Sequence, residues 1–418
     1  MAPSPQPISL KARYVFPVAG EPIAGGMVTI VGERLVAVEP YRQGTPAIDL
    51  GDVALIPGLV NAHTHLEFSG LAEPLAADER ASFASWLKAV VASRRAAPPI
   101  TGDRADPIAK GLAEALATGT TTLGEISTAP WRAFEQPPGG IVFREMIAPT
   151  AELMAVRGQN ASEHVAEFAA NTETSLWRPG LSPHAPYTVG TETLAEIVEL
   201  ACQRQVPLAM HLAESREELE FLATRGGPLR EMLEAAQQWD GSLESGPRRA
   251  LGYLQQLAAA PRALAIHGNY LTADEIDFLA EHRERMAVVY CPRTHAYFGH
   301  DPHPLPTLLA HGAAVALGTD SRASNPDLDL LAEMRQVLAA HPDVSPRRVL
   351  ELGTLSGAEA LGLADQCGSL LPGKLANLAV VELGSDSGGA VDPHELLFSE
   401  SNHVFGTWWR GKQCGLSR

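Results

Sequence analysis

Eight short apolar runs, each followed by a stretch of different rhythm, constrain this chain more than any other feature. They are ALIPGLVNAHTH (54–65), TTTLGEIS (120–127), IVFREMIAP (141–149), GLSPHAPYT (180–188), VPLAMHLAE (206–214), ALAIHGNY (263–270), AVVYCPRT (287–294) and AVALGTDS (314–321). Between them lie segments such as DRADPIAKGLAEALATG, TETLAEIVELACQRQ, TADEIDFLAEHRER and LDLLAEMRQVLAAH, whose apolar residues recur at the spacing of a helix with one buried face. Parallel strands need a crossover long enough to hold such a helix, so the alternation predicts a parallel sheet covered by helices. Eight strands with eight intervening helices close into a (β/α)8 barrel more readily than they spread into a doubly wound sheet, the competing arrangement. Residues 225–261 exceed what one helix needs and predict an extra hairpin or helix pair.

The two ends of the chain read differently. ISLKARYVFP and GGMVTIVGERLVAVEP near the start, and GKLANLAVVEL and NHVFGTWWRGKQC near the end, are strand-like, with Gly25-Gly26 and Gly32-Glu33 as turns. The expected fold is therefore α/β, a TIM-like barrel flanked by two strand-rich ends. A net charge of −17 and the lack of any basic stripe argue against a nucleic-acid partner, whose phosphates demand clustered Lys and Arg. No apolar run approaches the roughly 20 residues that span a bilayer, and MAPSPQPISLKARYVFP lacks the apolar centre of a secretion signal. Cys202, Cys291, Cys367 and Cys414 are scattered and form no C-x-x-C pair, as expected of reduced thiols in a cytoplasmic protein. Whether copies of the chain assemble into a homo-oligomer is left open.

In a barrel of this kind, catalytic groups gather at the C-terminal ends of the strands. His63 and His65 close the first run, His184 the fourth, His211 the fifth, His267 the sixth and Asp320 the eighth. His63 and His65 are two residues apart, so both point to the same side of a strand. Three neutral imidazoles and one aspartate nearly fill a divalent-metal shell while leaving a place for water. Taken singly, each has a blander explanation. An H-x-H is more often two loop histidines, His211 a half-buried histidine, His267 a core histidine and Asp320 a helix N-cap. Their joint placement at strand ends favours the metal.

Glu214 follows His211 by three residues, where the strand turns into its loop; there a carboxylate can shuttle a proton from water to a ring nitrogen. Glu217, Glu218 and Glu220 read as acids at the start of a helix. His267 is either a fifth ligand or a donor that orients water and developing charge. Other schemes find little support: no G-x-S-x-G, H-E-x-x-H, Walker-A lysine or G-x-G-x-x-G occurs. His65-Leu66-Glu67 mimics the H-x-E of zinc cytidine deaminases, but the accompanying P-C-x-x-C is absent.

At these residues the sequence resembles the amidohydrolase superfamily over essentially its whole length. IPGLVNAHTHLE is similar to the family's first-strand motif, HLAE to the fifth-strand His-x-x-Glu of the cytosine-deaminase and chlorohydrolase branch, HGN to the sixth strand and LGTDS to the eighth. LLPGKLANLAVVEL resembles the return of that branch's composite β-sandwich, with Asn377 where an aspartate is usual. The resemblance implies a TIM-like barrel over 57–364 with a small composite β-sandwich from 1–56 together with 365–418. The resemblance implies a metal held by His63, His65, His211 and Asp320, with Glu214, His267 and Asp320 as the catalytic groups. Binuclear members bridge two metals with a carboxylated lysine at the fourth strand. None of the five lysines (Lys11, Lys88, Lys110, Lys374, Lys412) lies there, so one divalent ion is expected, zinc before iron.

SPHAPYT, MHLAES, YCPRT and GTDSRASNPDLDLLAEMR are similar to deaminases of adenine nucleosides. Those are above all the aminodeoxyfutalosine deaminases of menaquinone synthesis and the S-adenosylhomocysteine/methylthioadenosine deaminases. This implies a small-molecule partner, an aminated N-heterocycle or nucleoside whose 6-amino group becomes 6-oxo. His184, Phe83, Trp86 and Glu214 would contact it. Thr294-His295 in place of the usual Ser-Asn, and Ser85 in place of an acid before the tryptophan, imply a changed ribose contact. The same machinery also serves an s-triazine-type chlorohydrolase or a guanine deaminase. A non-catalytic scaffold on a hydrolase barrel has no physical need for such a polar funnel.

Overall fold

The computed structural model describes residues 6–76, 82–96, 106–131, 136–169, 176–384 and 392–416; residues 1–5, 385–391 and 417–418 of the expected sandwich lie outside them. Eight parallel strands form one sheet in chain order: β1 (Leu59–Thr64), β2 (Thr120–Ser127), β3 (Gly139–Met146), β4 (Trp177–Pro183), β5 (Leu208–Leu212), β6 (Ala263–His267), β7 (Met286–Tyr290) and β8 (Val315–Leu317). A bridge between Thr64 and Asp320 joins the last strand to the first, and the His63 carbonyl accepts from the N–H groups of Thr319 and Asp320. The barrel thus closes at candidate site residues.

All strands except β4 are buried along their whole length, because helices cover them outside and side chains fill the interior. Val60, Ile126, Phe143, Leu264, Val289 and Ala316 meet in the interior; Met210, Ala265, Val288 and Leu317 pack against the helices. Helices Arg216–Thr224, Pro228–Ala235 and Ala250–Leu257 join β5 to β6, so the expected helix pair over 225–261 is present. Among the described residues no helix joins β2 to β3, which departs from the expected one helix per strand. No described helix is long and apolar enough to cross a membrane.

The first apolar run is two strands rather than one. Val53–Pro57 belongs to a separate sheet, and Gly58 alone links it to β1, where a Cβ would collide with the Thr121 side chain. That six-stranded sheet runs Lys412–Leu416, His403–Trp409, Leu378–Glu382, Val53–Pro57, Tyr14–Val15, Ile23–Ala24, interleaving strands from both ends of the chain. A four-stranded sheet (Arg34–Pro40, Gly26–Val31, Ile8–Lys11, Ile48–Asp49) packs with it around Leu10, Val28, Ile30, Leu55, Leu378 and Trp408. These sheets brace the strand that carries His63 and His65.

Candidate active site

The strand ends bring His63, His65, His211, Glu214, His267 and Asp320 to one mouth, all buried. His65 Nε2 lies 3.4 Å from His211 Nε2, and Asp320 Oδ1 lies 3.5 Å from His63 Nε2 and 3.7 Å from His65 Nε2. Ligand atoms about 2.0–2.1 Å from a tetrahedral ion stand roughly 3.3–3.5 Å apart, so the spacing fits one divalent ion. Both ring nitrogens of His63 and Nδ1 of His65 are buried without a hydrogen-bond partner. Buried polar atoms are seldom left so, and a coordinated ion relieves the cost at His63 Nε2. His63, His211 and His267 also offer ligand atoms within 4.8 Å of one another. The donor set fits a metal.

Two of these ligands, His211 and Asp320, have their remaining atom held by a hydrogen bond. His211 Nδ1 donates to the His184 carbonyl at 3.0 Å, leaving Nε2 for the centre. Asp320 Oδ2 accepts from Ser324 Oγ at 3.1 Å. Burial drives His65, His211 and His267 well below the ordinary imidazole range, and neighbouring imidazoles add to it. The rings are therefore neutral, the form that ligates.

His267 shows how the backbone aims a side chain. Leu264 and Ile266 point inward and Ala265 outward, so strand alternation assigns His267 to the outside. A left-handed φ of 70° breaks the alternation, and the ring lies 5.7 Å from that of His63. Asp320 (φ 56°) and Ala213 (φ 54°), which precedes Glu214, share this conformation. Such residues cost about 1–3 kcal/mol each and cluster at functional sites.

Glu214 Oε1 stands 3.4 Å from His267 Nε2. Burial, then the charges of Asp320, Glu218 and Glu217, push its carboxyl well above the usual range. A carboxyl so shifted can hold a proton near neutrality and release it. Its backbone is clamped from behind: Glu218 accepts from the N–H groups of Ala213 (2.8 Å) and Glu214 (2.9 Å), and Asn269 Nδ2 donates to the Glu214 carbonyl (2.9 Å). Glu218 therefore is not the solvated helix-start acid that the sequence suggests. It belongs to the first turn of Arg216–Thr224, but it is fully buried and holds the loop.

A cavity of about 120 Å³ opens beside these groups. Phe83 and Trp86 line it, stacked with ring centroids 5.8 Å apart, and Trp86 Nε1 donates to the Ala323 carbonyl at 3.3 Å. His184 lines it too; its Nδ1 meets Thr188 Oγ1 at 2.7 Å, and burial pushes the ring down to about 3. Thr294 and His295, expected to alter the ribose contact, do not line the cavity. Thr294 Oγ1 meets Ser324 Oγ (2.9 Å), the partner of Asp320, and His295 Nδ1 donates to Asn269 Oδ1 (3.1 Å), behind Glu214. Ser85 is exposed and outside the cavity as well.

Arg94 and Glu145 line the cavity and were missed from sequence. For Glu145 the signal is in FREM (143–146), a charged pair inside an otherwise apolar strand run. A wider groove of about 700 Å³, bordered by Trp177, Arg178, Arg204, Arg262 and Arg410, contains none of the strand-end residues.

The sequence profile of the amidohydrolase family matches residues 54–414, and the chain belongs to this metal-dependent family of hydrolases. Within it, the chain is 30% identical to the 5-methylthioadenosine/S-adenosylhomocysteine deaminase of Moorella thermoacetica, covering 90% of this chain and 86% of that one. It also resembles a zinc-bound adenosine deaminase from Xanthomonas campestris, with a TM-score of 0.76, 25% identity and coverage of 98% and 93%. The Helicobacter pylori aminofutalosine deaminase in complex with methylthio-coformycin has the same fold, with a TM-score of 0.80 at 22% identity and coverage of 97% and 100%.

Proposed function

We propose that this chain is a hydrolytic deaminase of adenine nucleosides that works with one divalent ion, zinc by preference, held by His63, His65, His211 and Asp320. Glu214 carries the reading: a buried carboxyl raised well above its ordinary range, 3.4 Å from His267 and lining the same cavity as Phe83 and Trp86. Likeness to methylthioadenosine/S-adenosylhomocysteine and adenosine deaminases supports an aminated purine as substrate.

A divalent ion, when bound, supplies Lewis-acid activation of water, whose pKa falls toward about 7 in favourable zinc sites. Glu214 takes a proton from the attacking water and delivers it to the ring nitrogen beside the amino-bearing carbon, which becomes electrophilic. His267 orients the attacking oxygen and stabilises charge on the tetrahedral species. Asp320 takes the remaining proton of the attacking oxygen and gives it to the departing amino group. Ammonia leaves, and the oxygen of water remains as the 6-oxo group. Phe83 and Trp86 wall the purine, and His184 presents Nε2 to it. The whole site belongs to a barrel domain over 57–364, braced by a composite domain of 1–56 and 365–418. Four free cysteines fit a cytoplasmic enzyme.

The test is ammonia release from adenosine, methylthioadenosine, S-adenosylhomocysteine and aminodeoxyfutalosine by zinc-loaded enzyme, with guanine and a chlorinated triazine as rivals. Turnover of an adenine nucleoside with kcat/KM far above both rivals is expected. An enzyme that ignores every adenine nucleoside, yet releases ammonia from guanine or chloride from a triazine, refutes the substrate. Metal analysis is expected to find one ion per chain; two tightly held ions, both needed for activity, would refute the single-ion centre.

A further inference from the structure

Glu145, near the end of β3, takes no part in the chemistry above. It is 3% exposed, lines the cavity, and both its carboxylate oxygens are buried without a hydrogen-bond partner. Among the described residues, the basic side chains within 4.0 Å are Arg94, with Nη2 at 3.6 Å, and the neutral His184, with Nε2 at 4.0 Å, both too far for a hydrogen bond. Arg94 is already committed to Glu67 through bonds of 3.2 and 2.8 Å. Leaving a buried carboxylate unbonded is expensive, so one that borders a cavity is poised for donors on a ligand.

Three carboxylates line this cavity among the described residues, and Glu214 and Asp320 belong to the reaction centre. Glu145 is the one available to the rest of the substrate. Arg94 already places a positive charge beside it, which opposes a further full cation there. Two neutral hydroxyl donors side by side match two coplanar acceptor oxygens without adding charge. A carboxylate oxygen of Glu145 and ring nitrogens of His184 and His211 lie within 4.8 Å of one another, so Glu145 borders the reaction centre directly.

We propose that Glu145 binds the cis-2′,3′-diol of the substrate's ribose, one hydroxyl to each carboxylate oxygen, and so makes the pocket selective for ribonucleosides. This rests on the deaminase reading above. Burial raises the Glu145 carboxyl above its ordinary range, and the Arg94 charge opposes part of that rise. Arg94 is thus a positioning residue that acts through Glu145.

The experiment compares adenosine with 2′,3′-dideoxyadenosine in wild type and Glu145→Gln. Two charge-assisted bonds predict a wild-type preference for adenosine of about 10²-fold or more in kcat/KM. Glu145→Gln should lose most of that preference, with adenosine falling toward the dideoxy value and the dideoxy value staying within about 3-fold. Calorimetric binding of inosine against 2′,3′-dideoxyinosine to wild type gives the same contrast without turnover. Equal handling of the ribo and dideoxy compounds by wild type overturns this assignment while leaving the deaminase intact. A wild type that deaminates no adenine nucleoside overturns the deaminase reading and this one with it. A Glu145→Gln enzyme that slows on both substrates by one factor, or that loses a metal ion, assigns Glu145 to the fold or the metal and overturns the proposal.

Discussion

The side chains that face the cavity and those directly behind them are equally buried and equally polar, yet they are built on opposite terms. In the facing layer His63, His65 and Glu145 carry unpartnered atoms, and His267 and Asp320 hold left-handed backbone. In the layer behind, the side-chain oxygens of Asn61, Glu333 and Glu218 are bonded. Asn61 donates to Thr319 Oγ1 (2.7 Å) and accepts from the N–H groups of Thr319 (3.1 Å) and His63 (3.3 Å). Glu333 accepts from Asn325 Nδ2 (2.5 Å) and the Arg293 N–H (2.9 Å), and both oxygens of Glu218 accept backbone N–H groups. Incomplete groups wait for a ligand, whereas complete ones hold the geometry and contribute stability. Function and stability therefore fall on different residues, often only four positions apart.

The sharpest way to break this contrast is Glu214→Gln. It should lower kcat by at least about 10²-fold, as loss of a general acid–base group does, while metal content and Tm hold. A kcat near wild type would move proton transfer to another group, His184 first. Behind it, Glu218→Ala should cost about 1–3 kcal/mol in denaturant unfolding, because two buried N–H groups lose their acceptor. Its kcat should fall less than that of Glu214→Gln; the reverse order would merge the two layers. Trp86→Ala should raise KM by roughly 10-fold and lower kcat by less, since a stacking wall serves ground and transition states alike. A variant with unchanged KM and depressed kcat would assign the ring to chemistry.

The smallest effect expected is a pH dependence. Burial pushes the Glu218 carboxyl up to about 7 from 4.5, against the two backbone N–H groups it accepts. Between those values the folded chain keeps a proton that the unfolded chain has released. Stability from this group is therefore greatest at low pH and falls as pH rises, by no more than about 1.4 kcal/mol per pH unit. Glu218→Gln should flatten that slope relative to wild type; parallel slopes in the two proteins would count against it.

The barrel and its reaction centre were legible because strand–helix alternation is a local pattern, and polar residues at strand ends stand out against apolar runs. Whether a residue points in or out was harder. His267 breaks strand alternation through its own φ, and a register irregularity between Asn61 and Thr64 interrupts the pairing of β1 with β2 around His63. Glu218 looked like any acid at a helix start, because only tertiary contact shows that it reaches back to Ala213 and Glu214. Thr294 and His295 looked like pocket residues because sequence shows neighbours along the chain, not the Ser324 and Asn269 side chains that stand between them and the centre. The split of the first run at Gly58 was hidden too, since the partner of Val53–Pro57 lies at the opposite end of the chain.

That last pairing sets a timetable for biosynthesis. Val53–Pro57 is wholly apolar and emerges early, but its antiparallel neighbour Leu378–Glu382 is made only after the whole barrel sequence has followed. At about 5–20 residues per second, the ribosome leaves one side of that strand without its neighbour for tens of seconds. During that interval the nascent chain offers a naked apolar edge, the kind of surface that chaperones hold and that aggregates recruit. Trimming the tail at residue 377 would leave the edge open for good, so the yield of soluble enzyme depends on its last 41 residues even though none of those described lines the cavity.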